Sequence, residues 1–471
     1  MTQTVQLPLW LFILILLFAA VTALSHLLLP SVRWFFRRRL EKAVKRLNTR
    51  LTRPIEPFKL ARRHDMIQRL IYDPEVGREI INYAAEHRVP ENVAFQKAQE
   101  YAREIVPSFS AFAYFSFGIR IAKLLARSVY RIKTADTNDR IFREIAPEAT
   151  VIFIMNHRSN MDYVLVTYLA ARASALSYAV GEWARVWPLS LLIRSMGAYF
   201  IRRRSRGALY RKVLARYVEL STAGGVTQAI FPEGGLSLTG ALQPPKMGLL
   251  SYVVDGFDPK GPRDVVFVPV AINYDRVLED RVLIAAHERG DRRFGARISV
   301  VLVFILRKLW QRLRGHDTRF GAAAVAFGEP LSLRAYGEAS GVENLSQELI
   351  TRIEAAMPVL AVPLVATVLS QKAPLSLPDL QQEVAALVGL IPTRNLAVDL
   401  QELDEEVARA CRHMEQHGVI LTEGETVSVQ DGQMNVVTYY ANSIAHFFRN
   451  NPVLELGNAA TAKGNAATAG S

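Results

Sequence analysis

Asn156, His157, Arg158, Ser159, Asn160, Met161 and Asp162 follow directly on the apolar run Val151–Met155. A short β-branched and aromatic run reads as a buried strand, so this polar heptad stands at a strand's C-terminal end. In open α/β sheets that edge is where ligands bind. His157 and Asp162 are five apart, a spacing that a strand-to-helix loop folds together. A carboxylate beside an imidazole fixes its tautomer and steadies its positive charge, so the imidazole can take a proton from a hydroxyl. A substrate's own alcohol can then attack, without a serine or cysteine nucleophile. On its own the pair reads equally as a polar loop cluster or a helix cap.

Three further segments follow in order. The first runs Gly197-Ala198-Tyr199-Phe200-Ile201-Arg202-Arg203-Arg204. The second is Phe231-Pro232-Glu233-Gly234-Gly235-Leu236-Ser237-Leu238-Thr239-Gly240, continuing to Pro244-Pro245-Lys246-Met247-Gly248-Leu249-Leu250. The third is Val268-Pro269-Val270-Ala271-Ile272-Asn273-Tyr274. Taken singly, Arg202–Arg204 reads as a solvated or lipid-facing basic patch, and Gly224-Gly225 as turn chemistry. Gly234-Gly235 follows the apolar run Thr227–Phe231 and so marks a second strand end.

Together with the heptad, this ordered set resembles the four motifs of the glycerolipid acyltransferases, and the glycerol-3-phosphate acyltransferase branch fits best. The Thr438–His446 stretch, with its Tyr-Tyr-x-Asn-x-Ile-x-His pattern, has a counterpart there too. The resemblance runs from about Arg63 to about Phe448. It implies a membrane-anchored α/β catalytic domain flanked by N- and C-terminal helical regions. It implies His157 as general base and Asp162 as its orienting carboxylate. The activated oxygen would attack an acyl thioester carried by coenzyme A or acyl carrier protein. Glu233 and Gly234 would shape the acceptor site. Arg202 and Arg203 would bind a phosphate through bidentate guanidinium bonds, and Lys246 would add a point charge. No cofactor and no metal is called for.

One departure bears on the acceptor. Relatives carry arginines in the third motif where this chain has Leu236 and Leu238. A charge-assisted hydrogen bond contributes about 1.5–3 kcal/mol, so either neighbouring cations compensate or the acceptor is not a small phosphate ester. The first reading is acylation of glycerol-3-phosphate at its first hydroxyl, beginning phospholipid synthesis. The second keeps the chemistry and changes the acceptor to a lysophospholipid such as lysophosphatidate, dihydroxyacetone phosphate or a lipid alcohol without phosphate. The third is a catalytically weak membrane protein that binds acyl chains.

Composition narrows the partners. The chain has 471 residues, half of them hydrophobic, and a net charge of +13. Such a balance favours anionic partners such as phospholipid headgroups or a phosphorylated donor. No nucleic-acid motif, zinc spacing or Walker loop is present. The single cysteine, Cys411, excludes an intramolecular disulfide and reads as a packing residue. His413 and His417 have i,i+4 spacing without an evident third ligand, and read as a surface helix pair. His446 is assigned to structure.

Leu7–Leu29 is almost uninterrupted apolar sequence, long enough for a bilayer span of roughly 20 residues. No lysine or arginine precedes it, and Arg33, Arg37, Arg38, Arg39, Lys42, Lys45, Arg46 and Arg50 follow. The positive-inside rule then predicts an anchor with the catalytic domain on the cytoplasmic face. A helix lying in the interface or packed on the protein is the alternative. Ile298–Leu309, apolar with basic flanks, reads either as an interfacial segment or as a core strand leading into a surface helix.

The expected organisation is an anchor over 1–30, a helical region over 31–134, the catalytic domain over 135–335, a helix-rich region with a small hairpin over 336–450, and a disordered tail over 451–471. Helices are expected at Glu91–Ile105, Ala111–Ile132, Tyr163–Arg172 and Ala208–Ser221. Strands are expected at Val151–Met155, Ala175–Val180, Tyr199–Ile201, Thr227–Phe231, Val265–Ile272 and Ala322–Phe327. This alternation predicts an α/β sandwich with a largely parallel sheet. A hairpin around Glu423-Gly424 after two helices gives a winged-helix-like order, but those helices lack a basic recognition face.

Overall fold

The computed structural model describes residues 8–17, 42, 44–49, 51, 53–134, 141, 143–169, 174–181, 189–202, 207–290, 320–337 and 341–449. The chain divides into two compact units, Met1–Ile55 and Glu56–Ser471. In the first, residues 9–17 form an apolar helix with exposed side chains. Among the described residues no helix is long and apolar enough to cross a membrane. Most of the expected anchor Leu7–Leu29, all of Ile298–Leu309, and the 451–471 tail lie outside the described residues.

The second unit is built on an eight-stranded sheet, ordered β1-β7-β6-β2-β5-β3-β4 with β8 against β6. The strands are β1 (Arg131–Thr134), β2 (Thr150–Met155), β3 (Ser177–Gly181), β4 (Tyr199–Ile201), β5 (Gln228–Ile230), β6 (Val265–Tyr274), β7 (Ala322–Phe327) and β8 (Leu331–Ser332). All six residues of β2 are buried, as expected of a central strand covered on both faces. Its side chains alternate between two cores: Val151, Phe153 and Met155 enter one, Ile152 and Ile154 the other.

Helices cover both faces. On one side lie α1 (Arg63–Ile71), α2 (Pro74–His87), α3 (Glu91–Ile105), α7 (Ala208–Ala223), α8 (Gly248–Asp255) and α10 (Gly341–Ala355). On the other lie α4 (Ile119–Val129), α5 (Met161–Leu169), α9 (Asp280–Glu288), α11 (Ala361–Lys372), α12 (Leu377–Gly389), α13 (Leu403–Gln416) and α14 (Met434–Ala441). A short α6 (Leu189–Ser195) leads into β4. Sequence chemistry sets the ends. Asp73 caps α2 by accepting from the Glu75 and Val76 amides, with Pro74 in the first turn. The same carboxylate accepts from Arg216 of α7 at 2.8 Å, tying the two helices together.

Two expectations change. The apolar stretch Ala111–Ile132 is not one helix: a π-helical turn at Ala113–Gly118 leads into α4, which stops at Val129. Tyr130 then turns extended because its ring is buried 5.1 Å from that of Tyr274 and its hydroxyl donates to the Arg276 carbonyl. Ile132 consequently lies in β1, which pairs with β7. The sheet is largely parallel, as expected, β3, β4, β5 and β6 running with β2, while β7 and β8 run antiparallel to β6. Lastly, α5 begins at Met161 rather than Tyr163, which places Asp162 in its first turn. The C-terminal hairpin forms, with β10 (Ile420–Glu423) and β11 (Thr426–Val429), and takes β9 (Leu375–Ser376) as a third strand.

Candidate active site

The site lies at the C-terminal edge of β2, where the strand gives way to a loop. Asn156 locks that loop to β6: its amide donates to Ile272 O at 2.9 Å and accepts from Ile272 N at 2.8 Å. His157 follows, with 3% of its side chain exposed, and its Nδ1–H donates to Asp162 Oδ2 at 2.9 Å. Asp162, fully buried, also accepts from the Arg158 amide at 2.7 Å and the Ser159 amide at 3.0 Å. Its other oxygen accepts from the Tyr274 hydroxyl at 2.5 Å. Four donors therefore converge on one carboxylate and fix its orientation. Nδ1 is thereby committed as a donor, which leaves Nε2 as the basic nitrogen. The imidazole is packed between Phe231, at 4.1 Å, and the edge of Tyr163, at 5.4 Å.

Glu233 joins the second glycine-bearing loop to the first. One of its oxygens accepts from the His157 amide at 2.8 Å, the other from the Gln243 amide at 3.1 Å. Burial pushes its carboxyl up to about 8, the two amides opposing that rise. The Ser237 amide returns a bond to the His157 carbonyl at 2.9 Å. Gly234 takes a left-handed φ of +65°, and a Cβ there would lie 2.9 Å from Lys246 Cδ and 3.4 Å from its Nζ. Only glycine lets the lysine side chain lie along this backbone. His157, Asp162, Glu233, Gly234 and Lys246 are thus brought together.

Two models of known families match the chain. The acyltransferase domain covers residues 137–273, and the glycerol-3-phosphate acyltransferase C-terminal region covers 306–457. Over these two regions the chain is similar to the glycerol-3-phosphate acyltransferases. The glycerol-3-phosphate acyltransferase of Aeromonas hydrophila is 29% identical over 423 residues, 83% of this chain and 50% of that protein. That of Pseudomonas syringae pv. tomato is 30% identical over 294 residues, 62% of this chain and 34% of that protein. The chain spans about half the length, or less, of these curated relatives. A crystal structure of the 1-acyl-sn-glycerophosphate acyltransferase of Thermotoga maritima aligns with 59% of this chain and 95% of its own, at 17% identity and a TM-score of 0.29.

Arg202 is engaged elsewhere than in the group around His157. Its guanidinium holds Glu104 of α3 in a two-pronged pair, with bonds of 2.9, 3.1 and 2.6 Å. It also lies over the rings of Tyr101 and Tyr210. Arg203 lies outside the described residues. Leu236 and Leu238 are half-buried and pack against the core.

Sequence reasoning passes over several participants. Tyr274 is visible as the last residue of the fourth motif, without a role. Glu279 accepts from the Ser159 hydroxyl at 2.8 Å and from the Asn160 side chain at 3.0 Å, buttressing the heptad across 120 positions. Arg158 donates to the Gly240 carbonyl at 2.5 Å. The Asn442 amide donates to Thr239 O at 2.9 Å, carrying α14 to the catalytic loop. Position in the chain gives no sign of these pairings; only the Tyr-Tyr-x-Asn pattern marks the last.

Proposed function

We propose that the chain moves a fatty acyl group from a thioester to the first hydroxyl of glycerol-3-phosphate. The observation that carries this reading is the His157–Asp162 pair, seated at a strand end with Nδ1 occupied by a fully hydrogen-bonded carboxylate. His157 Nε2 takes the hydroxyl proton as the oxygen attacks the thioester carbonyl carbon. The C–O bond forms and the C–S bond breaks. The imidazolium returns its proton to the departing sulfur, and Asp162 steadies the transient positive charge. Such a general base contributes about 10²–10⁴-fold in rate.

A second acceptor is favoured by one observation. Leu236 and Leu238 present hydrocarbon where relatives have arginines, and Arg202 is engaged with Glu104. An acceptor with a lipid body, or with less phosphate charge to hold, fits that loss of cations. Lys246, lying along Gly234, is the cation placed in the loop itself.

The enzyme is proposed to work against a phospholipid membrane, held by its N-terminal apolar segment with the catalytic unit on the cytoplasmic face. Support comes from the π turn and α4. Phe112, Phe117, Ile121 and Leu124 are exposed there, among exposed Arg120, Lys123 and Arg127. Apolar side chains rimmed by cations suit an anionic lipid surface.

The test incubates the protein in membranes with labelled palmitoyl-CoA and, in separate reactions, glycerol-3-phosphate, dihydroxyacetone phosphate, lysophosphatidate or no acceptor. Labelled lysophosphatidate formed only with glycerol-3-phosphate, and lost in His157→Ala, is the expected result. Product with a different acceptor keeps the mechanism and changes the substrate. Transfer that survives His157→Ala overturns the mechanism. Replacing palmitoyl-CoA by palmitoyl acyl carrier protein identifies the donor.

A further inference from the structure

A cleft of about 250 Å³ opens beside the catalytic edge of the sheet. The strand geometry places it there. Residue Asp275 follows Tyr274 at the end of β6, β7 starts opposite that point, and Arg131 of β1 pairs with Ala322 at the start of β7. The start of β1 therefore lies on the same side of the sheet as the His157 loop, three strand spacings or roughly 14 Å across it and several residues further along the strand direction. Helix α13 forms the facing wall with Glu406, Arg409, Arg412 and His413.

The acidic groups of this cleft are already satisfied. Asp275 accepts from the Ala322 amide at 2.7 Å and the Val362 amide at 3.2 Å, one bond to each oxygen. Glu406 is paired with Lys133 at 3.1 Å and with Arg409 at 3.6 Å. Among the described residues Arg131 and Arg412 form no ion pair, and His413 Nε2 is buried without a hydrogen-bond partner. Surplus guanidinium charge and an orphaned imidazole nitrogen facing one cavity match an anion rich in acceptor oxygens.

We propose that this cleft is an anion subsite that takes a phosphate group of one of the two substrates, with Arg131, Arg412 and His413 as its ligands. The substrates' identities rest on the acyltransferase reading; the phosphate chemistry does not. Two sources share that chemistry: the nucleotide end of a coenzyme A donor and the phosphate of the acceptor. Guanidiniums bind either through paired N–H···O bonds.

The experiment titrates the full chain, by calorimetry and without turnover, with 3′,5′-ADP, glycerol-3-phosphate and inorganic phosphate. The wild type is compared with an Arg131→Gln/Arg412→Gln double variant. At least one organic phosphate should bind the wild type, and the double variant should bind it tenfold more weakly or worse. Steady-state KM should rise by a similar factor for the substrate carrying that group, more than kcat falls. A 3′,5′-ADP response identifies the donor; a glycerol-3-phosphate response identifies the acceptor. Equal binding by both proteins, or none by the wild type, overturns the subsite. Arg412→Glu, at an exposed position, gives the same comparison if the double variant does not fold. Binding without acyl transfer to any acceptor retains the subsite and removes the acyltransferase reading. Transfer with unaltered KM values and binding does the reverse.

Discussion

The Tyr274 hydroxyl is the donor on the second oxygen of Asp162, so it helps hold the carboxylate that orients His157. Tyr274→Phe leaves that oxygen without its partner and loosens the carboxylate that orients the imidazole. The rate at neutral pH is expected to fall about tenfold, since a buried acceptor left unpaired costs about 1–3 kcal/mol. An unchanged rate would assign Tyr274 to packing alone. Glu233 gives a signature in stability instead. Burial raises its carboxyl from an ordinary 4.5 to about 8, so the folded chain keeps a proton that the unfolded chain releases. The resulting stabilisation is complete below the lower value and is lost as pH rises through the upper one. Urea midpoints of the wild type and Glu233→Gln should therefore lie closest near about pH 5, with the variant gaining toward about pH 9. A constant gap across that range would show that Glu233 does not titrate there.

Among the elements, α14 has the most to do with the catalytic loop. Gly240 has a φ of +82°, and a Cβ added there would come 1.8 Å from the Tyr439 carbonyl oxygen. Gly240→Ala should lose about 3 kcal/mol or more, from overpacking added to left-handed strain, and should lose activity as the Ser237–Gly240 loop shifts. Gly432→Ala is the comparison, with a φ of +73° and open space around it; a loss of only about 1 kcal/mol is expected there. Denaturant unfolding separates the two. The contrast also marks what a sequence can tell. Strands β2, β4 and β7 are legible because their apolar runs are short, β-rich and bounded by polar turns. The run Ala111–Ile132 reads as a single helix because helix and strand are both apolar there, and its break at Tyr130 is decided by Tyr274, more than a hundred residues on. At the site, the His157–Asp162 spacing is local and therefore visible. The groups that complete it, the donor Tyr274 and the acceptor Glu279, arrive from the end of β6 and beyond. Arg202 carries the right chemistry for a phosphate, but its engagement by Glu104 depends on how α3 packs beside β4.

At the scale of the molecule, buried histidines set the acid limit of stability. Burial, with the neighbouring arginines, depresses His446 to about 3, and burial, with His417 and the arginines, depresses His413 to about 3. Both are neutral in the folded chain, whereas the unfolded chain takes up protons near 6.5. Stability should accordingly hold above that value and decline as pH falls from about 6.5 toward about 3. His446→Gln, which can still donate to the Glu354 carbonyl that His446 bonds at 3.1 Å, should flatten that decline in thermal melts. An unchanged slope would place the acid sensitivity elsewhere. With Glu233 acting on the alkaline side, the fold is bounded by groups whose protonation it opposes or demands. The closure of Gly240 against Tyr439 has a consequence in time as well. The glycine leaves the ribosome some 200 residues before the tyrosine, an interval of about 10–40 s at 5–20 residues per second. Through that interval the nascent chain holds His157 and Asp162 together with every strand of the sheet once β8 is out, yet lacks the surface that closes its substrate loop. Translation itself thus keeps the catalytic pair from a finished pocket until the last helix arrives.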